Sequence, residues 1–167
     1  MLGFYENFPV NIHVIETFTT PLSNTKLQRK LIQVLHDVNR TTFSFEEVSC
    51  PTVPECTIIF EMGLADAGSF NFIDEDETRK VLTALRKTAF QTMDFFCAIR
   101  YYKGNGEKKP LKFDYYMMRV VFGKNAVEIR LFHERGPRYI SPEDLVTFLV
   151  NKINATSTRK ILKTLSM

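Results

Sequence analysis

The sequence has no tryptophan, only three cysteines, and no run of about 18 consecutive apolar residues. The missing apolar run excludes a transmembrane helix. Near its start the chain shows no basic stretch leading into an apolar run, so a secretory signal is not expected. Cys50, Cys56 and Cys97 are too few and too irregularly spaced for a disulfide framework, and they read as reduced thiols of a nuclear or cytoplasmic protein that is not secreted. Cys50 and Cys56 also lack the close spacing and second pair of a structural zinc site. The histidines, His13, His36 and His133, offer no pair at ligand spacing, so no metal is expected. The glycines at Gly63 and Gly68 and at Gly104 and Gly106 match no phosphate-cradling pattern. No cofactor is expected and no catalytic residues are assigned.

Large apolar side chains are abundant, with fifteen Phe and six Tyr in 167 residues and a hydrophobic fraction of 44%, well above that of a disordered chain. That length suits a single domain over residues 1–167. The net charge of +3 hides an asymmetry: residues 1–100 hold nine Lys or Arg against thirteen Asp or Glu, and residues 101–167 hold thirteen against six. A basic half of this kind can face an anionic partner.

Periodicity predicts a strand over Val10 to Thr19, then a helix capped by Ser23 or Asn24 and running to about Asn39. A weakly alternating stretch from Thr41 to Val48 and a prolyl loop over Cys50 to Pro54 follow. A strand over Cys56 to Met62 leads into a turn region from Gly63 to Gly68, and Phe70 and Phe72 extend a further strand. The cluster Asp74-Glu75-Asp76-Glu77 stands at the start of a helix from about Asp76 to Thr88, where carboxylates complement the positive end of the dipole. Met93 to Tyr102 fits neither period cleanly and reads as a strand or a continuation of that helix. After a loop from Gly104 to Pro110, Leu111 to Phe122 and Ala126 to Phe132 or His133 form a hairpin across Gly123-Lys124-Asn125. Ser141-Pro142-Glu143-Asp144 then starts a helix to about Lys152, with Asp144 at the capping-box position and Ile140 as a hydrophobic staple. Thr158 caps a short basic helix at the end. The fold expected is α+β: a largely antiparallel sheet covered by helices, ending in a long hairpin and one or two C-terminal helices.

The first strand of the hairpin is apolar on both faces, with Phe113, Tyr115, Met117 and Val121 on one and Tyr116, Met118, Val120 and Phe122 on the other. Such a strand is covered twice, by its own helices or by a partner. Aromatic, Met and Arg residues are also those enriched at interface centres. The chain therefore reads as a non-enzymatic interaction or scaffold subunit of a larger intracellular complex. Its partner would be another protein subunit, a similarly folded one included, and no membrane is involved. The contact residues expected are Tyr116, Met118, Phe132, Arg135 and Arg138, the two arginines framing a rigid Gly136-Pro137 turn suited to bidentate grip of acidic groups. Internal pairing of either arginine with Glu134, Glu143 or Asp144 is the competing reading. His133 with Asp114 could form an acid–base group or a hydrogen-bonded structural cluster. The alternative function is nucleic-acid binding through Lys108, Lys109, Lys112, Lys124, Arg159, Lys160 and Lys163, with nearby tyrosines stacking on bases.

Overall fold

A computed structural model describes residues 1–49, 55–104 and 109–165, with the backbone alone at 109–111. The Cys50–Pro54 loop, most of the Gly104–Pro110 loop and the side chains of Lys108 and Lys109 lie outside the described residues. Eight strands form one antiparallel sheet: β1 (Val14–Thr19), β2 (Thr42–Ser44), β3 (Cys56–Asp66), β4 (Ser69–Phe72), β5 (Thr92–Lys103), β6 (Lys109–Gly123), β7 (Ala126–Arg135) and β8 (Lys163–Thr164). Their order is β2-β3-β5-β6-β7-β1-β8, and β4 pairs with β3 off this path. Three helices complete the α+β architecture: α1 (Asn24–Asn39), α2 (Glu75–Leu85) and α3 (Pro142–Asn154).

Each helix begins where a side chain satisfies an orphan backbone donor. Ser23 Oγ accepts from Lys26 N at 3.3 Å, an Asp74 carboxylate oxygen from Glu77 N at 2.8 Å, and Ser141 Oγ from Asp144 N at 3.1 Å. Asp144 does not return the bond that a capping box requires; its carboxylate accepts from the Ser49 hydroxyl instead. One face of the sheet meets α1 and α3. Phe60 of β3 stacks on Phe148 of α3 at 5.2 Å, and Leu31 of α1 and Leu149 of α3 share a void of about 20 Å³ with Met118 and Ile129. We call this the inner face and its reverse the outer face.

Several sequence expectations change. The first strand starts at Val14, four residues late, because His13 departs from the ladder and its ring accepts the backbone N–H of His133. The stretch after Thr41 is a three-residue strand followed by a turn of 3₁₀ helix over Phe45–Glu47. Gly63 to Asp66 is strand rather than turn, since Gly63 to Asp66 pair with Phe72 to Ser69. Thr92 to Lys103 is a strand paired on both sides, which explains why its apolar residues showed no clean alternation. The hairpin turns through Lys124 and Asn125 alone, with Gly123 opposite Ala126 and Asn125 at φ 53°. The terminal basic helix is absent. The Asn154 side chain accepts from Ile161 N and Leu162 N and donates to Leu162 O, and Leu165 N donates to Thr17 O. These bonds satisfy the backbone in an extended path, so Lys163 and Thr164 join the sheet as β8.

The first eight residues form an irregular strap over part of the outer face. Gly3 N donates to Ala65 O and Gly3 O accepts from Asp94 N, both at 2.7 Å. Arg119 of β6 then holds Asp94 of β5 through two bonds of 2.7 and 2.9 Å, and its guanidinium lies over the rings of Phe4 and Phe8. Asp94 is fully buried and also accepts from Tyr5 N. Arg119→Ala leaves that carboxylate without its counter-charge, and urea denaturation should show a loss of about 3–5 kcal/mol.

Candidate functional site

Asp114 lies on the inner face of β6, in line with Tyr116 and Met118, and is fully buried. An acid there must have donors, and the fold supplies four. Tyr101 Oη donates to Oδ2 at 2.5 Å and Tyr139 N to the same oxygen at 3.0 Å; Arg138 N donates to Oδ1 at 2.7 Å, where His133 Nε2 lies at 2.9 Å. Tyr101 Oη also accepts from Ile140 N, and Tyr116 Oη donates to Ile140 O. Burial, with Asp114 beside them, pushes both phenols well above their ordinary range, so they remain proton donors at neutral pH. The segment from Gly136 to Ile140 is thus tied to β5 and β6 through one carboxylate.

That clamp fixes the turn. Gly136 has φ +120°, and a Cβ there would lie 2.3 Å from Phe113 O and 2.4 Å from Asp114 Oδ1. Arg138 sits at φ +60°, a left-handed conformation that few non-glycine residues adopt. The register between β6 and β7 shifts where Tyr115 faces Arg135 and Tyr116 faces His133. This bulge re-aims Arg135, whose guanidinium lies over the Tyr115 ring at 5.3 Å.

The outer face beyond the strap is aromatic. Phe70, Phe96, Tyr115 and Phe113 form a ladder of ring contacts across β4, β5 and β6, with centroids 5.6, 5.6 and 6.1 Å apart. Arg100 covers its far end, 5.2 Å from the Phe113 ring centre. All four rings are half-buried. The strand arginines of this face have acids of their own: Arg100 pairs with Glu61, Arg119 with Asp94 and Arg130 with Glu128. Arg135 and Arg138 differ. Both are exposed, and among the described residues neither has a carboxylate within 4.0 Å. The expected alternative of internal pairing with Glu134, Glu143 or Asp144 is therefore not what the side chains do. Arg138 Nη2 instead lies 3.2 Å from His13 Nε2, and the His13 ring stacks on Phe132 at 5.0 Å.

Of the contact residues expected from sequence, Phe132 and Arg138 meet through His13, while Arg135 lies over Tyr115. Tyr116 and Met118 take no part, because they point inward and are 0% and 1% exposed. Alternation assigned these two to one face of β6, and that face is the core, so both leave the contact set. Of the basic residues expected to track a nucleic acid, Lys112 stands apart from the others whose side chains are described. Lys112 and Lys124 are exposed near opposite ends of β6, about 40 Å apart at roughly 3.3 Å per residue. Lys163 pairs with Thr19 near the hairpin turn, and Arg159 and Lys160 are exposed in the segment just before it. The hydrogen-bonded cluster of His133 with Asp114 expected from sequence is present, with Asp114 holding the turn as well, and His13 joins Arg138 without having been expected there. Asp114 had a legible signal, since it is an acid on the strand face that alternation gives to Tyr116 and Met118, and a buried acid requires donors. His13 had none, because its place depends on the β1–β7 pairing.

Among the described residues no group of three His, Cys, Asp or Glu side chains converges as a metal site. Cys56 and Cys97 are free and buried, and burial raises both thiols, which disfavours thiolate chemistry. Compared with protein-family models, curated proteins and solved structures, the chain matches none.

Two substitutions test the clamp. Asp114→Asn places an amide donor against donors and should lower stability by about 3 kcal/mol or more. Gly136→Ala, through strain and contact with the backbone of β6, should cost about 3 kcal/mol or more. Chemical denaturation reads both, and a loss below about 1 kcal/mol in each would contradict the clamp.

Proposed function

We propose that this chain is a non-enzymatic interaction subunit of a larger intracellular assembly, nuclear or cytoplasmic, and that it docks another protein subunit on the outer face of its sheet. The observation that carries this reading is the aromatic ladder Phe70–Phe96–Tyr115–Phe113, bordered by arginines, on a sheet face that the N-terminal strap only partly covers. An antiparallel sheet with one solvated face ordinarily alternates apolar with polar residues, and here the outer side of β6 carries half-buried Phe113 and Tyr115 next to buried Met117. Aromatic side chains with Met and Arg, the strand charges already neutralised in pairs, match the composition of interface centres. A similarly folded subunit would offer the matching flat, twisted surface.

A structural role for Asp114 and the histidine held against it supports the non-enzymatic part. The acceptor positions of Asp114 are filled by the fold, and His133 is held against it. Nucleic-acid binding is the weaker reading. Phosphate recognition needs free cations along one track, whereas the strand arginines are ion-paired and Lys112 stands at the end of β6 away from Lys124 and Lys163. Among the described residues no helix is long and apolar enough to cross a membrane.

A photo-crosslinking side chain placed at Tyr115, and as a control at Lys124, tests the reading in cells. The expected result is a discrete adduct from position 115 that is destroyed by protease and untouched by nuclease, is absent from position 124, and is lost when Phe96→Arg is added. Nuclease-sensitive adducts, or equal labelling from both positions, would overturn it.

A further inference from the structure

We infer that the place where Arg138 meets His13, with Arg135 three residues earlier at the end of β7, binds a carboxylate side chain of an acidic segment in the partner protein. This rests on the interaction reading above and adds the chemistry of what the partner presents.

The hydrogen-bond inventory of His13 carries the inference. His13 Nδ1 accepts the backbone N–H of His133 at 2.8 Å, and a backbone amide can only donate. Nδ1 is therefore unprotonated, and in the neutral ring the proton sits on Nε2. That N–H lies 3.2 Å from Arg138 Nη2, which also can only donate. Two donors thus converge with no acceptor between them. A carboxylate accepts from both, one oxygen to each, in the bidentate manner that guanidinium groups favour. Protonating His13 adds a proton at Nδ1 at the expense of the bond from His133 N, leaves the two converging donors in place and adds positive charge beside them.

The surroundings agree. Arg135, three residues before Arg138, is exposed, and its guanidinium carbon lies 5.3 Å from the centre of the Tyr115 ring. Both arginines stand on a turn that cannot relax, fixed by Gly136 against β6 and by Arg138 N on Asp114. The left-handed backbone at Arg138 is maintained by that clamp, and held strain of this kind concentrates at binding positions. Glu134 is exposed beside Arg135, and Glu143 is close enough to act on His13. These acids disfavour the uniformly charged backbone of a nucleic acid. They tolerate separate carboxylates on a peptide whose other side chains rest on Tyr115 and Phe132.

The His13 ring supplies a signature. Partial burial, then the positive charges of Arg138 and His133, hold it below its ordinary value near 6.5, with Glu143 opposing and the Phe132 ring stacked on it. A bound carboxylate reverses the sign of the local field, so the His13 pKa rises on binding.

The test uses the full chain and three labelled probes: a peptide alternating Glu with Leu, the same peptide with Gln for Glu, and single-stranded oligothymidylate. Fluorescence anisotropy should show binding of the Glu peptide alone. Arg138→Asn, chosen because asparagine tolerates the left-handed backbone, and Arg135→Gln should each weaken it by about tenfold. Ring resonances of His13 should titrate at a higher pH with the Glu peptide present. The inference is overturned if the Glu and Gln peptides bind alike, if both variants bind as the parent chain does, or if His13 titrates unchanged. Binding of the oligonucleotide with the same arginine dependence, and none of the peptide, overturns it too. If crosslinking from position 115 succeeds while the Glu peptide fails, only the carboxylate site is lost. If both fail, the docking face itself is lost.

Discussion

One buried carboxylate organises the C-terminal half of this molecule. Asp114 sits inside a sheet whose inner face is otherwise apolar, where an unpaired charge would be prohibitive. Its donors come from β5, β7 and the turn before α3, so the carboxylate is satisfied only when all three elements are in their native places. The requirement works in both directions. Asp114 needs the turn for two backbone N–H groups, and the turn needs Asp114 because Gly136 and Arg138 both adopt conformations that an isolated peptide would abandon. Tyr101 and Tyr116 extend the network to Ile140, the residue just ahead of the α3 cap. Chain path, helix entry and the aim of two arginines follow from one polar residue in an apolar strand.

The same constraint separates the two sides of β6. On the inner side, polar groups are consumed by the fold. On the outer side, the charges of the strands cancel in pairs, and the N-terminal strap covers the most buried pair, Asp94 with Arg119. What remains is an aromatic ladder and, at Arg135 and Arg138, two guanidinium groups with no carboxylate partner among the described residues. A surface assembled in this way is poorly suited to following a phosphate backbone and well suited to an apolar protein face with an acidic edge. The bulge between β6 and β7 connects the two sides. It brings the Asp114 clamp and the Arg135–Tyr115 contact to adjacent residues on opposite faces of the sheet.

Much of the architecture was legible where local chemistry decides it. The Ser23, Asp74 and Ser141 caps lie where side chains can reach orphan amides, and α1 carries its apolar stripe at helical spacing. Legibility failed where partners distant in sequence decide. Thr92 to Lys103 lacks alternation because neighbouring strands cover both of its edges and packing covers both of its faces, which no local window reveals. The basic end of the chain has helical spacing, yet Asn154 and the edge of β1 capture its backbone first. The site divides in the same way. Phe132, Arg135 and Arg138 were readable as a basic turn beside an aromatic strand. Tyr116 and Met118 alternate with Tyr115 and Met117 in a strand apolar on both sides, and no local pattern says which side meets α1 and α3. His13 joins only through pairing across most of the chain.

The central claim is that the outer face of β5, β6 and β7, with the 135–138 turn, is covered by protein in the cell. Hydrogen exchange tests it most directly when the chain recovered from cells under native conditions is compared with the chain purified alone. The account predicts added protection confined to residues 96–102, 113–117 and 130–139, with α1, α2 and the β8 edge unchanged. Added protection at the hairpin turn, at residues 155–165 or on α2, with the outer face exchanging as in the isolated chain, would contradict it.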